Sequence, residues 1–168
     1  MKQNYKMEEV LIRNIELKDN ASLAAIIRKS LEEFNAAKPG TVYFDTTTDH
    51  LFELFQSTPN SKYFVAELNG TVIGGAGIFP TENLPKGYCE LVKMYLSKDA
   101  RGSGLGRMMI SKCLDTAKEM GFTNVYLESM PELSKAVKVY EKFGFSYLKG
   151  PLGNSGHCGC DIWMMKEI

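Results

Sequence analysis

The spacing of hydrophobic residues along the chain alternates between the pattern of strands and that of helices. Residues 10–15 (VLIRNI) predict a short strand. A helix is predicted to begin at Asp19 or Asn20, since either residue is a good amino-terminal cap. Its apolar positions recur at helical spacing: Leu23, Ile26, Ile27 and Leu31. This helix should end before Pro39-Gly40, and a second helix is predicted from about Asp49 to Pro59.

A β-hairpin gives the clearest local pattern. Two β-prone runs, Tyr63 to Leu68 and Thr71 to Phe79, flank the dipeptide Asn69-Gly70. Asn-Gly readily adopts the positive φ angles of a two-residue type I′ turn, so the two runs should pair as antiparallel strands. After a proline-containing loop, a third strand is predicted over Tyr88 to Leu96.

Helices and strands alternate in the second half of the chain. A strand is predicted at Asn124 to Leu127, and a helix at about Leu133 to Lys142 that Gly144 ends. Before them, an apolar stripe at i, i+4 spacing predicts a helix that Gly121 can end: Leu105, Met109, Cys113 and Ala117. The final predicted strand directs one set of residues to one face and a second set to the other: Cys158, Cys160, Ile162 and Met164, then His157, Asp161, Trp163 and Met165.

This order of elements predicts the fold class. We expect an α/β fold of the α+β type, in which helices flank a central mixed sheet with antiparallel and parallel strand pairs. The chain has 168 residues, of which 44% are hydrophobic. No repeat or long linker divides it, and this length suits a single domain over residues 1–168.

Charge and composition narrow the classes of partner. Lys plus Arg number 20 and Asp plus Glu number 20, so the basic surplus of a nucleic-acid-binding protein is missing. No apolar run reaches the roughly 18 residues of a membrane span, and the first residues lack the apolar stretch of a signal peptide. We therefore expect a cytoplasmic protein with reduced cysteines, which acts on small molecules or peptides and binds neither nucleic acid nor membranes.

A glycine-rich loop carries the strongest chemical signal. The segment Leu96 to Arg107 (LSKDARGSGLGR) places Gly102, Gly104 and Gly106 between a strand and a helix. Such glycines let backbone N–H groups point into one concave space, and the helix start adds unpaired donors. Arg101 can add a forked contact to phosphate oxygens. The segment predicts an anion-binding loop that matches neither GxGxxG nor GxxxxGK[ST], although glycines also simply ease a tight turn.

The same residues carry a family resemblance. The pattern Arg-x-x-Gly-x-Gly at residues 101–106 resembles the coenzyme A diphosphate loop of the GNAT (N-acetyltransferase) superfamily. The longer stretch CELVKMYLSKDARGSGLGRMMI is similar to the strand-loop-helix core of that family, and AVKVYEKFGF resembles its later helix and strand entry. The resemblance covers about residues 10–168. It implies a GNAT-like fold and acyl transfer from acetyl-CoA as co-substrate, with no metal.

The resemblance also implies which residues hold acetyl-CoA. The pantetheine would pair along the strand Met94, Tyr95 and Leu96 like an added strand, and a backbone N–H near Tyr95 would polarise the thioester carbonyl. The diphosphate would lie on the loop, which comprises Arg101, Gly102, Ser103, Gly104, Leu105, Gly106 and Arg107. One position departs from the family pattern, because Leu133 stands where many members have Asn, and Ser134 is a weak substitute.

Two carboxylates are candidates for the general base. An amine acceptor is largely protonated at neutral pH, whereas only its neutral form attacks, so a group must accept a proton. Glu90 stands where similar family members place a base, and it could act through water. The alternative is an exposed strand glutamate in a salt bridge. Glu128, near the end of the next predicted strand, is the rival candidate.

Tyr140 matches the tyrosine that family members place near the thioester sulfur. The ordinary pKa of tyrosine is roughly 10 and that of a thiol roughly 8.5, so full proton donation to the thiolate is not strongly favoured. A hydrogen bond to the departing sulfur is the better hypothesis. The alternative is an aromatic ring that packs the helix onto the sheet.

The acceptor site is predicted from residues 31–62 and two later positions. Phe34 and Tyr43 offer aromatic contacts to a cation, and Glu128 and His157 are further candidates for acceptor binding. Ordinary helix and loop surface explains residues 31–62 equally well. His157 is also interpreted as a proton carrier.

A metal site is not expected. The run His157-Cys158-Gly159-Cys160 holds metal-ligand types, but a structural zinc normally needs four ligands and His50 is the only other histidine. Core thiols are the simpler interpretation of the cysteines.

Two functions of different classes remain open at this stage. The first is an acetyl-CoA-dependent N-acetyltransferase that acts on a small amine or on a peptide or protein amine. The second is a non-catalytic, regulatory CoA-binding module with the same phosphate loop. The acyl chain length stays open, and an edge strand of such a sheet makes a homodimer plausible.

Overall fold

A seven-stranded mixed sheet forms the centre of the molecule, which the computed structural model describes over residues 9–168. The strands are β1 (Val10–Asn14), β2 (Lys62–Leu68), β3 (Thr71–Phe79), β4 (Tyr88–Leu96), β5 (Asn124–Ser129), β6 (Ser146–Tyr147) and β7 (Ile162–Glu167). Their order across the sheet is β1-β2-β3-β4-β5-β7-β6. Strands β4 and β5 run parallel, and the other neighbours described here run antiparallel. The mixed sheet predicted from the sequence is confirmed.

Helices cover both faces of the sheet. They are α1 (Asn20–Glu33), α2 (Leu51–Ser57), α3 (Leu105–Glu119) and α4 (Ser134–Lys142). Alternate residues of β2 point to opposite faces of the sheet. Tyr63 and Val65 pack with α1 and α2, whereas Phe64 and Ala66 pack with α3 and α4. The sheet therefore separates two hydrophobic clusters. Within residues 9–168, no helix is both long and apolar enough to cross a bilayer.

The turn of the predicted hairpin and the start of the first predicted helix are confirmed, but the helix cap lacks a side-chain hydrogen bond. Asn69 and Gly70 have φ angles of +50° and +79°, as a type I′ turn requires. Asp19 stands at the amino-terminal cap of α1, but its side chain makes no capping bond there. Its carboxylate pairs instead with Arg13. Asn20 accepts a hydrogen bond from the amide of Phe52 at 2.8 Å, and so satisfies the start of α2.

The last strand begins later than the alternating pattern predicted. Strand β7 starts at Ile162, so the prediction of a strand over residues 157–161 is wrong. The segment turns because Gly159 docks on the loop that precedes α2, where its amide donates to the carbonyl of Gly40 at 2.9 Å. A Cβ at Gly159 would lie 2.8 Å from the carbonyl oxygen of Pro39, so this contact requires glycine.

The four cysteines are free thiols in different environments. Cys89 and Cys113 are buried, which confirms their interpretation as core thiols. Cys158 is exposed and Cys160 is half-buried. The core interpretation is therefore wrong for Cys158, because the turn that contains it lies on the surface instead of continuing β7.

Candidate active site

Strand β4 contains a β-bulge at Lys93. Gly77 of β3 pairs with Val92, but Gly75, only two residues earlier in β3, pairs with Tyr95. Strand β4 therefore has one residue more than β3 over this stretch, and Lys93 adopts a φ angle of +48°. The bulge changes which side chains of β4 face the cavity described below.

A tyrosine on β2, two strands away from β4, holds the bulge in place. The hydroxyl of Tyr63 donates to the carbonyl oxygen of Lys93 at 2.8 Å. The ring of Tyr63 lies against β3 where a Cβ at Gly75 or Gly77 would come within 2.6 Å of it. Because β3 carries glycines here, the tyrosine can cross the strand and reach β4.

Strands β4 and β5 separate just beyond Glu90. Their parallel pairing ends where Glu90 meets Tyr126, after which β5 continues to Ser129 against β7 and β4 continues to Leu96 against β3. A cavity of about 280 Å³ is lined by residues of both separated strands and of the loops around them. A gap between parallel strands leaves backbone groups of β4 without a strand partner on that side.

Glu90 lies at the point of separation and is almost completely buried, with 4% of its surface exposed. Its Oε2 accepts a short hydrogen bond from the hydroxyl of Thr81, and Oε1 has no donor among residues 9–168. Burial raises the pKa of Glu90 to about 7, and the charge of Glu128 acts in the same direction. The bond from Thr81 opposes this shift. A carboxylate with such a pKa can both accept and release a proton near neutral pH.

Glu128 lines the same cavity, but its two oxygens are occupied. Oε1 accepts from the hydroxyl of Tyr126 at 2.8 Å and Oε2 from that of Ser155 at 2.7 Å. The Tyr126 hydroxyl in turn accepts from the amide of Leu152 at 3.1 Å. Glu128 therefore ties the loop before β7 to the end of β5, and it has less freedom than Glu90 to take a proton from a substrate.

A lysine and a histidine side chain meet one carboxylate at the edge of the cavity. Nε2 of His157 lies 2.8 Å from Oδ2 of Asp45, and Nζ of Lys93 lies 3.6 Å from the same oxygen. The Lys93 side chain is 7% exposed, and burial lowers the pKa of its ammonium. The hydrogen bond from His157, with the charge of Lys93, lowers the pKa of Asp45. All three residues line the cavity.

The glycine loop between β4 and α3 is open on its outer side. Gly102 and Gly104 have φ angles of +80° and +95°, and a Cβ at either residue would meet no atom within 4 Å. Gly106, in the first turn of α3, packs beneath the end of β4, where a Cβ would lie 3.5 Å from Cε of Met94. The positive φ angles aim the backbone of this loop in directions that other residues adopt only under strain.

Several amides of this loop have no hydrogen-bond partner among residues 9–168. Within the segment, the amide of Leu105 donates to Oγ of Ser103 at 3.3 Å. The amides without a partner belong to Gly102, Ser103, Gly104, Gly106 and Arg107. Unpaired donors at the start of a helix favour an anion. The open loop and its donors therefore fit a diphosphate.

The side chain of Arg101 turns away from this loop towards α1. Its Nη1 pairs with Glu33 at 2.7 Å, Nη2 donates to Ser30 at 2.9 Å, and Nε donates to the carbonyl of Leu96 at 3.1 Å. The guanidinium carbon lies 4.9 Å from the centre of the Phe34 ring. The predicted contact with phosphate oxygens stays a prediction, and the side chain connects the loop to α1 in this structure.

Comparison with known proteins decides the family. A family model described as "Acetyltransferase (GNAT) family" matches residues 25–145. The chain belongs to the GNAT acetyltransferase family. It is 34% identical to the uncharacterized N-acetyltransferase YjgM of Escherichia coli K12, over 98% of this chain and 99% of that one. Together these findings identify it as an acyltransferase enzyme.

Solved structures show that this GNAT chain shares its fold with other members. A GNAT acetyltransferase of Staphylococcus aureus Mu50 superposes with a TM-score of 0.82 at 17% identity, covering 94% of this chain and 98% of that one. The PaiA N-acetyltransferase of Thermoplasma acidophilum, solved in complex with coenzyme A, gives 0.73 at 20% identity, covering 95% and 99%. The GNAT-like sheet with flanking helices predicted from the sequence is thereby confirmed.

The predicted site residues of this GNAT enzyme fall into two groups. Glu90, Tyr95, Glu128 and His157 line the cavity. The other acceptor and catalytic candidates, Phe34, Tyr43 and Tyr140, lie outside that lining. Met94 and Leu96 pack towards α3. The structure thus brings both candidate bases and His157 together, but separates them from the two predicted aromatic contacts.

The two aromatic acceptor candidates have other partners. The Tyr43 hydroxyl donates to Glu32 at 2.6 Å, and its ring meets that of Phe44 edge-on at 4.9 Å between centres. Phe34 lies beneath the guanidinium of Arg101. Neither residue lines the cavity.

Tyr140 lies on α4 with 7% of its surface exposed, and its ring meets that of Phe145 edge-on at 5.9 Å. Its hydroxyl has no hydrogen-bond partner among residues 9–168, and burial raises the pKa of this phenol above its ordinary value. A neutral, unpaired hydroxyl is suited to donate a hydrogen bond.

Sequence reasoning missed two residues of the GNAT cavity. Lys93 was missed because the alternation of side chains along a regular strand does not reveal a β-bulge. Thr81 follows a predicted strand and carried no motif, yet it donates to Glu90. In the described part of the chain, no group of three or more His, Cys, Asp or Glu side chains is arranged to hold a metal ion.

Proposed function

We propose that this enzyme transfers an acetyl group directly from acetyl-CoA to a primary amine of a small molecule or peptide, with Glu90 as the general base. The observation that carries the proposal is the position of Glu90, a buried carboxylate with a pKa of about 7 where β4 and β5 separate. Buried groups with a pKa near the working pH are the usual general bases of enzymes.

The glycine loop and β4 are proposed to hold the acetyl-CoA. Amides of residues 102–107 would receive the diphosphate, with Arg107 as an exposed cation at the start of α3. Met94, Tyr95 and Leu96 would offer backbone groups to the pantetheine on the side of β4 that β5 has left. The coenzyme A complex of the PaiA structure supports this choice of co-substrate. When bound, acetyl-CoA supplies an activated acetyl group as a thioester.

Glu90 would take the proton that the amine has to lose. The carboxylate faces the cavity, and its Oε1 has no competing donor among residues 9–168. Glu128 is the weaker candidate, because two hydroxyl groups already donate to its oxygens. We assign Glu128 to holding the loop before β7 through Ser155, and to raising the pKa of Glu90 by its charge.

Tyr140 is proposed to donate a hydrogen bond to the departing sulfur. Its raised pKa keeps the phenol protonated at neutral pH, so it can donate but is poorly suited to accept. Leu133 lines the cavity. Many members of the family that the sequence resembles have Asn at this position, so this chain has no amide side chain there. Tyr140 is the residue of α4 that we propose for this contact.

An assay of thiol release with a panel of amines tests the proposal. The protein is incubated with acetyl-CoA and each amine, and free thiol and acetylated product are measured together. We expect stoichiometric thiol and N-acetyl product with at least one amine, and an initial rate that falls at least about 100-fold in Glu90→Gln. Binding of CoA by calorimetry without product from any amine would instead favour a non-catalytic module.

A further inference from the structure

We propose that the acceptor carries a carboxylate, and that Lys93 and His157 bind this group while the amine faces Glu90. The inference rests on the proposed function, because it names the substrate class of the same cavity. It predicts an amino-acid-like acceptor, with an amine and a carboxylate on one small molecule, in place of a diamine or a simple alkylamine.

Lys93 is the central observation. Its side chain is 7% exposed and lines the cavity, held there by the bulge of β4. Among residues 9–168 its ammonium has one ion-pair partner, Asp45, and the 3.6 Å between Nζ and Oδ2 is longer than an ordinary hydrogen bond. An ammonium has three N–H donors, and a buried one is costly unless they are paired. A carboxylate in the cavity would supply the acceptors that the protein does not.

Asp45 shows that this position accommodates a carboxylate. Its Oδ2 meets both His157 and Lys93, so an imidazole nitrogen and an ammonium converge on one oxygen. Asp45 is held on the loop before α2, and its side chain is 32% exposed. A ligand carboxylate placed beside it would face the same two donors. Charge-assisted hydrogen bonds of this kind are among the stronger polar contacts in proteins.

The remaining charges of the cavity match the other end of an amino acid. Glu90 and Glu128 line the same space and favour an amine. Asp45 is already paired with Lys93 and His157, so a second ammonium on the acceptor would meet the like charge of Lys93, which disfavours diamines. The cavity volume of about 280 Å³ lies at the small end of ligand sites, and so suits a compact molecule.

The test compares acceptors that differ only in the carboxylate. Each L-amino acid that is acetylated is assayed beside its carboxamide, and kcat and KM are measured for both with wild-type enzyme and with Lys93→Gln. We expect Lys93→Gln to raise KM for the carboxylate acceptor about 10- to 100-fold and to change KM for the carboxamide less than about threefold. Lys93→Arg should restore most of the preference, since it keeps the charge.

Two controls keep the outcomes distinct. Lys118→Gln removes an exposed lysine of α3, and it should leave the ratio of the two KM values unchanged. If Lys93→Gln does not fold, His157→Gln serves instead, with a smaller loss in the same direction. Equal losses on both acceptors would show that Lys93 only supports the fold, and would overturn the inference.

Failure of the inference can be told from failure of the proposed function. Acetylation of carboxamides or simple amines, with no preference for the carboxylate in wild-type enzyme, would overturn the inference alone. Absence of product with every amine would overturn the proposed function, and the inference with it.

Discussion

Nη1 of Arg101 lies 2.7 Å from Oε2 of Glu33, so the first residue of the glycine loop is held against the end of helix α1. The same guanidinium stacks on Phe34 and bonds to the carbonyl of Leu96. The loop proposed to receive the diphosphate is therefore held by helix α1. In this structure the Arg101 side chain connects the glycine loop to α1.

Arg101→Ala is expected to raise KM for acetyl-CoA and to leave KM for the acceptor nearly unchanged, because the loop loses its connection to α1. The free energy of unfolding should fall by about 1–2 kcal/mol, since a half-buried ion pair and a cation–π contact are lost. Steady-state kinetics and urea unfolding measure the two effects.

Glu33→Gln distinguishes the Arg101–Glu33 ion pair from a direct contact between Arg101 and phosphate. This variant breaks the ion pair but keeps the guanidinium, so a positioning role predicts a smaller rise in the same KM. A rise confined to Arg101→Ala would indicate that the guanidinium itself meets the diphosphate. An unchanged cofactor KM in both variants would remove Arg101 from the site.

Gly104→Ala tests the loop backbone. Gly104 has a φ angle of +95°, and a Cβ there would meet no atom within 4 Å, so the substitution strains the backbone without a clash. We expect a loss of about 1–2 kcal/mol of stability and a rise in KM for acetyl-CoA. Gly70→Ala is the matched control, because Gly70 has φ +79° and equally open surroundings in the β2–β3 turn. It should lose stability but keep the wild-type KM.

The sequence could predict the regular elements because their signals are local. The Asn69-Gly70 turn, the strand β4 and the glycine loop each depend on a few neighbouring residues, and each is found where it was expected. Glu90 could be named as a base candidate from its place in a family-like strand. The sequence could not predict that Glu90 is buried or that its pKa is raised, because both depend on packing from several distant segments.

Local sequence patterns could not predict that Lys93 and His157 meet Asp45 at the edge of the cavity. The bulge that directs Lys93 inward depends on a tyrosine 30 residues earlier, which can cross β3 only because that strand has glycines. The pairing of Asp45 with His157 joins residues 112 positions apart. It also depends on a turn that interrupts the alternation before β7. A strand-like sequence pattern cannot show this interruption, because a contact with a remote loop causes it.

The pH dependence of turnover should follow the ionisation of Glu90. A base has to be ionised to accept a proton, so kcat should rise as pH increases through about 7. Lys93 and His157 lower the pKa of Glu90 and Glu128 raises it. Thr81→Val removes a donor that stabilises the ionised form, so the rising limb of the profile should move to higher pH. Glu90→Gln should lose that limb, and an unchanged profile would assign the base elsewhere.

Tyr140→Phe should lower kcat at least about tenfold while KM for acetyl-CoA stays within about twofold. Its hydroxyl has no partner among residues 9–168, and the ring contact with Phe145 is kept, so stability should change by less than about 0.5 kcal/mol. Tyr147→Phe is the control, because Tyr147 is an exposed tyrosine that bonds to Glu141 outside the cavity. Wild-type turnover in Tyr140→Phe would leave Tyr140 with a packing role alone.

Glu90 should also make the stability of the fold depend on pH. Its pKa rises from an ordinary value of 4.5 to about 7 on folding, so between these values the folded state binds more protons than the unfolded state. Stability contributed by the neutral carboxyl is complete below about pH 4.5 and is lost as pH rises through about 7. The loss amounts to at most roughly 3 kcal/mol.

Glu90→Gln removes this titration, so the stability of the variant relative to wild-type protein should increase between pH 5 and pH 8. Urea unfolding at the two pH values measures the difference, and Glu119→Gln is the control, because Glu119 is an exposed glutamate at the end of α3 and does not line the cavity. A stability difference between Glu90→Gln and wild-type protein that stays constant with pH would contradict the raised pKa of Glu90. A difference that grows with pH, together with a loss of turnover, would show that the buried carboxylate is kept for catalysis at a cost in stability.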